Sequence, residues 1–201
     1  MNRKRLAALL LAPVAAASLS GCGINSIPTA DENVKARWAD VEADFQRRAN
    51  LIPNIVSTVK GAAASEQNIL VGVTQARADA TKIHVSGDQL SDPNAMRAFQ
   101  DAQNRLTLSL QRLQEAYPQL QSQGNFKTLI TELESTENRI AIAIRDYNGA
   151  VQAYNTRIRT FPDVIGAKVF YGAKPRVPYQ ATTKNADVAP PVSFDTNTAG
   201  H

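Results

Sequence analysis

Cysteine occurs once in these 201 residues, at Cys22, and histidine twice, at His84 and His201. No intramolecular disulfide can form, and zinc sites built from Cys and His clusters, or Cys–His nucleophilic pairs, lack their raw material. Aromatic residues are sparse, at 6%. Net positive charge is scarcer than the formal +4 suggests, because Arg3, Lys4 and Arg5 sit in a leader that carries no acidic residue. Without those three, 22 basic residues become 19, against 18 acidic ones. A chain so close to neutral offers no basic face for nucleic acid. Long hydrophobic runs are missing too. Leu6 to Leu19 is apolar for 14 residues and is broken by Pro13, whereas a spanning helix needs about 20 apolar residues.

That short run has another use. Behind the positive Met1–Arg5 segment it fits the hydrophobic part of an export signal, and it ends in Leu19-Ser20-Gly21-Cys22. This tetrapeptide resembles the lipobox of bacterial lipoproteins. Small residues before the cut suit the peptidase, and the thiol takes a diacylglycerol in thioether linkage. The expectation is a signal peptide over 1–21, a lipidated Cys22 carrying palmitate-type chains, and an anchor and linker over 22–30. An ordinary secretory signal with an incidental cysteine is the bland alternative. The position of the chain's only cysteine, where the motif requires it, argues against that. Gly23 carries no inner-membrane retention signal, so in a cell with two membranes the expected place is the outer membrane, facing the periplasm.

The body is rich in Glu, Gln, Leu, Ala and Ile, the composition of long helices. Apolar positions recur at spacings of four and three: Val34, Trp38, Val41 and Phe45; Ile52, Ile55 and Val59; Ile69, Val73, Ala76 and Ala80; Phe99, Leu106, Leu110 and Leu113; then Ile140, Ile144, Tyr147, Val151, Tyr154, Ile158 and Phe161. Such spacing predicts helices with one apolar stripe each. Asp92 before Pro93 reads as a helix N-cap with proline in the first turn. Pro53 is ambiguous, since the apolar phase runs through it. Residues 31–85 as one helix would reach about 80 Å, against about 54 Å for residues 126–161. Length therefore predicts a break near Pro53 and an all-α fold: an antiparallel, up-and-down four-helix bundle over 31–172, turning near residues 52, 89 and 123. Residues 173–201, polar and marked by Pro175, Pro178, Pro190 and Pro191, read as a disordered tail. The apolar stretch 164–171 reads as a cap folded onto the bundle, with contact to membrane or a partner as the alternative.

Arg48, Glu66, Gln103 and Glu137 interrupt the apolar seams. With those turns, Glu66 and Glu137 fall near Trp38 in a dry seam, where each carboxylate costs several kcal/mol to desolvate unless paired. Arg112, or Arg37 beside Trp38, is expected to reach one of them. The alternative leaves both glutamates hydrated at the seam edge. Asn148 and Asn155, seven residues apart on the flank of the last helix, are the candidate partner face.

Three stretches resemble the LemA family of bacterial membrane-attached proteins: Trp38–Glu42 leading into Gln46–Val56 and Val59-Lys60; Glu137–Ala141 continuing to Arg145–Asn148 and Tyr154-Asn155; and Phe161-Pro162. The resemblance covers about residues 24–172. It implies a helical, envelope-attached protein with no catalytic residues and no cofactor to carry over, a partner among TPM-domain membrane proteins, and, in one branch, a part in building intracellular membrane compartments. Many relatives keep an uncleaved N-terminal helix, which this chain replaces with the lipobox. The expected function is a lipid-anchored, non-catalytic envelope scaffold or adaptor that binds another envelope protein. Two alternatives stand beside it: a carboxylate-bridged metal enzyme using Glu66 and Glu137, although neither histidine follows a glutamate by three; and a membrane-remodelling protein acting through 164–171.

Overall fold

The structure, a computed structural model, describes residues 25–62, 67–118 and 124–180. Cys22, Glu66, the signal segment and residues 181–201 lie outside them. The described residues are helical, without strands: α1 (Ser26–Ala62), α2 (Gln67–Lys82), a 3-10 turn (Gly87–Ser91), α3 (Pro93–Ala116), α4 (Gly124–Arg157) and a short α5 (Asp163–Val169). At 1.5 Å per residue, α1 and α4 each extend about 50–55 Å.

α1 packs chiefly on α4, and α2 on α3, with smaller contacts of α1 to α2 and to α5. Side-chain contacts give the directions. Trp38 meets Tyr147, Arg48 meets Glu137 and Arg157 meets Ser26, so α1 and α4 are antiparallel. Trp38 bonding Val85 and Arg77 bonding Ala49 make α1 and α2 antiparallel as well. Asp92 caps α3, accepting from the Asn94 N–H at 2.8 Å ahead of Pro93 in the first turn. The seams are buried largely as their spacing predicts, from Val34 to Ile158. Phe161 is the exception, at 80% exposed.

α1 does not break at Pro53. It runs on to Ala62, so the reversal falls about ten residues later than length alone predicts. Proline inside a helix costs about 3 kcal/mol, because it lacks the N–H owed to the carbonyl four residues back. That carbonyl belongs to Ala49, and Arg77 Nε, arriving from α2, donates to it at 2.7 Å. The turns around Pro53 also bury Ile52, Ile55, Val56 and Val59, each contributing about 1.5–3 kcal/mol. Continuing the helix outweighs the local penalty. α2 is correspondingly short, and residues 83–86 complete its height beside Trp38, whose Nε1–H donates to the Val85 carbonyl at 2.7 Å.

Arg77→Met should therefore destabilise the protein by about 1–2 kcal/mol, the cost of an unsatisfied carbonyl. In a Pro53→Ala background most of that cost should vanish, because the alanine N–H serves Ala49. Urea unfolding of both single variants and the double variant measures the coupling, and strict additivity would contradict it.

Candidate functional site

The apolar interior is divided into two clusters, one around Trp38, Phe99 and Tyr147 and one around Ile55, Leu110 and Phe126. Arg48 sits at the division. It is 1% exposed, and its Nη1 donates to Glu137 Oε1 at 3.0 Å and Thr107 Oγ1 at 2.9 Å. Its Nη2 donates to the Gln103 carbonyl at 3.3 Å and to Gln103 Oε1 at 2.8 Å. The guanidinium carbon lies 4.9 Å from the centre of the Phe45 ring, while the Nε–H has no partner among the described residues. Gln103 passes the network on to α2, donating to the Ala80 carbonyl at 3.2 Å. The cation ties three helices, and Gln103 adds the fourth.

The expected partners of Glu137 are thus corrected. Arg48 takes its carboxylate. Arg112 is exposed, and Arg37, also exposed, faces Asp40 on its own helix at 3.4 Å. Arg112 lies on the exposed side of α3, and the reversal after α1, later than expected, is what brings Arg48 to the height of Glu137. Trp38 is buried as expected, but it packs edge-on to Phe99 and donates to Val85, while Glu137 is paired elsewhere. Glu137 Oε1 is held by Arg48 at 3.0 Å. Among the described residues no group of three His, Cys, Asp or Glu side chains could hold a metal ion.

Residues 173–180 are not a disordered tail. They form an extended strap laid against α4. Asn155 Nδ2–H donates to the Arg176 carbonyl at 2.8 Å, while its Oδ1 accepts from the Arg176 N–H at 2.8 Å. Asn148 repeats the pattern on Tyr179, at 2.9 and 2.8 Å. The spacings agree: seven helical residues rise about 10.5 Å, and three extended residues about 10 Å. Between these rungs the Val177 carbonyl accepts from the Tyr147 hydroxyl at 2.7 Å, and the Val177 N–H donates to the Leu90 carbonyl at 2.8 Å. Pro178 has no N–H to satisfy. The asparagines expected at a partner face do bind an extended backbone, and it is the chain's own.

Arg176 fastens the strap to the other elements. Its Nε and Nη2 donate to Asp31 Oδ1 at 2.8 and 2.6 Å, and its Nη1 donates to the Gly87 carbonyl and Ser91 Oγ, both at 3.1 Å. Tyr179 lies over the Arg48 site, 6.0 Å from the Phe45 ring. Burial pushes its hydroxyl up to about 12, with Arg48 pulling the other way and Glu137 adding to the rise. Burial raises the Tyr147 hydroxyl as well. The Tyr147 phenol therefore keeps the proton it donates to the Val177 carbonyl throughout the physiological range. A cavity of about 230 Å³ remains among Arg48, Thr107, Glu137 and Tyr179.

At the end where α1 begins, α5 folds back on α1. Ala167 is buried, Gly166 faces Ile27, and Ser26 Oγ donates to Asp163 Oδ2 at 2.9 Å. An open cleft of about 580 Å³ beside it is lined by Asp31, Asp88, Tyr154 and Arg176.

The LemA family model matches residues 37–194, a stretch that takes in most of the helical body, the Arg48 site and the strap. The chain belongs to the LemA family. Among curated proteins it is similar to magnetosome proteins MamQ 1 and MamQ 2 of Paramagnetospirillum magneticum, each 29% identical over 157 residues, covering 69% of this chain and 58% of the relative. Magnetosome protein MamQ of Magnetospirillum gryphiswaldense is 27% identical over the same coverage. The chain thus spans less than two thirds of the length of these relatives. None of its described helices is long and apolar enough to cross a membrane.

Truncation after Gln180 should leave the melting temperature of this LemA-family chain nearly unchanged. Truncation after Gly172, which removes the strap's hydrogen bonds at about 0.5–1.5 kcal/mol each, should lower it by about 5–15 °C. Equal melting of the two would show that the strap adds no stability. Glu137→Gln should cost roughly 1–2 kcal/mol, the solvent-facing side of Glu137 moderating the loss. Arg48→Met should absorb most of that cost in the double variant, whereas Arg112→Met should add to it independently.

Proposed function

We propose that this LemA-family chain is a lipid-anchored, non-catalytic scaffold or adaptor of the cell envelope, an up-and-down four-helix bundle that holds another envelope protein. The observation that carries the reading is where its polar groups go. Arg48, Gln103, Asn148, Asn155 and Arg176 are engaged in binding helices and strap to one another. Polar side chains committed to one another in this way support the reading of a rigid spacer. The magnetosome proteins among its relatives support a role at membranes, and the lipobox supplies the means of attachment through Cys22. The partner class that the family resemblance implies is a TPM-domain membrane protein. In a cell with two membranes, the place is the inner face of the outer membrane.

The metal-enzyme alternative needs Glu137 free, and Arg48 engages it. Stoichiometric iron or manganese in the purified protein would favour that alternative.

Metabolic labelling with a palmitate analogue should tag the wild-type chain and leave Cys22→Ser unlabelled and unprocessed. Crosslinking in cells should join the wild type to an envelope membrane protein, with the yield falling in Cys22→Ser. Equal labelling of both chains would remove the anchor from this reading, and crosslinks confined to copies of the chain itself would remove the adaptor.

A further inference from the structure

We infer that α5 and its flanks form a lipid-docking face that seats the end of the bundle on the membrane surface. The inference deepens the anchored reading proposed above. Large exposed hydrophobic side chains are concentrated there: of eight among the described residues, five fall within 161–171. Phe161 is 80% exposed, Ile165 55%, Val169 68% and Phe170 66%. Ile165 and Val169 are four apart in α5, the spacing that aligns side chains along one side of a helix, and Phe161 stands in the turn just before it. Ala167, on the opposite side of α5, is buried against the bundle. The short helix is thus apolar on both sides, and only one of them is covered by protein.

Three further observations favour a lipid surface as the occupant. The first is position. Ser26, where α1 begins, is hydrogen-bonded to Asp163 at 2.9 Å, and its carbonyl accepts from Arg157 at 3.0 Å. Cys22 precedes Ser26 by four residues, a reach of at most about 14 Å. A lipid on Cys22 therefore brings this end of the molecule, and not the far end, to the headgroups. The second is charge. Arg159, Lys168 and Lys174 are exposed around the patch, while its acidic residue, Asp163, lies 3.5 Å from Arg157. Within residues 159–174 three basic residues stand against one acidic residue, which complements anionic headgroups, while Glu32, Asp88 and Asp92 line the cleft alongside. The third is tethering. A short tether holds the face at an effective concentration in the millimolar range, so even weak apolar insertion is enough to orient the bundle. The face sets the angle of the bundle, while the lipid supplies the attachment.

The chain's single cysteine makes the test site-specific, because a thioether-linked Cys22 leaves no thiol to label. Val169→Cys and, at the opposite end, the exposed Val71→Cys are each expressed as the full chain, purified in mature form and labelled with an environment-sensitive fluorophore. Both are reconstituted in phosphatidylethanolamine–phosphatidylglycerol vesicles with or without nitroxide-bearing lipid. The probe at 169 should shift to the blue and lose most of its emission to the nitroxide, while the probe at 71 keeps the spectrum it has in water. Equal, water-like behaviour at both positions would overturn the docking face and leave it open to a protein partner. The wild-type chain in the same labelling reaction keeps the two readings apart: fluorophore on Cys22 would refute the anchor, whatever the probe at 169 reports.

Discussion

A guanidinium with almost no access to water has to be solvated by the protein, and at Arg48 that requirement sets the register of the fold. Apolar stripes of heptad spacing can slide past one another by one repeat and still bury leucines against leucines. Arg48 cannot slide. Its donors find acceptors only when Gln103 and Thr107 of α3 and Glu137 of α4 stand at its height, and Gln103 in turn ties that level to α2. An ion pair with one partner buried and the other at the solvent edge contributes little net stability compared with well-packed hydrophobic residues. Its contribution is to make misregistered packings expensive, in the way a single polar residue fixes register in a coiled coil. The two apolar clusters on either side supply the bulk of the stabilisation, and Arg48 decides which of several similar packings they adopt.

The helices and most of their buried faces are legible in the sequence because period and burial express the same constraint. The cap at Asp92 is legible because it is local. Pro53 misleads for the opposite reason. Its local chemistry argues for an end, and what outweighs that chemistry is Arg77, 24 residues away on another helix. The partner of Glu137 is hidden as a direct consequence, since every height inferred through a misplaced reversal is wrong by the same offset. Arg48, Gln103 and Glu137 stand out in the sequence as interruptions of the seams, and these three do meet.

The strap is hidden for a different reason. Backbone recognition by asparagine leaves no hydrophobic pattern, and prolines flanking polar residues resemble a tail that gains too little from ordering. Pro175 and Pro178 instead restrict the strap before it binds, reducing the entropy that its ordering must overcome. The readable signal is arithmetic. Two asparagines seven apart on a helix flank match two extended residues three apart, and the chain carries such a segment after α5.

The same match governs how the segment can change over time. The rungs at Asn148 and Asn155 hold main-chain atoms of residues 176 and 179, so the ladder is indifferent to most side chains laid across it and strict about their count. Substitutions between the rungs leave it in phase. A single inserted or deleted residue between 176 and 179 moves one rung by about 3.3 Å, farther than a hydrogen bond can stretch. The strap is therefore free to drift in composition and constrained in length.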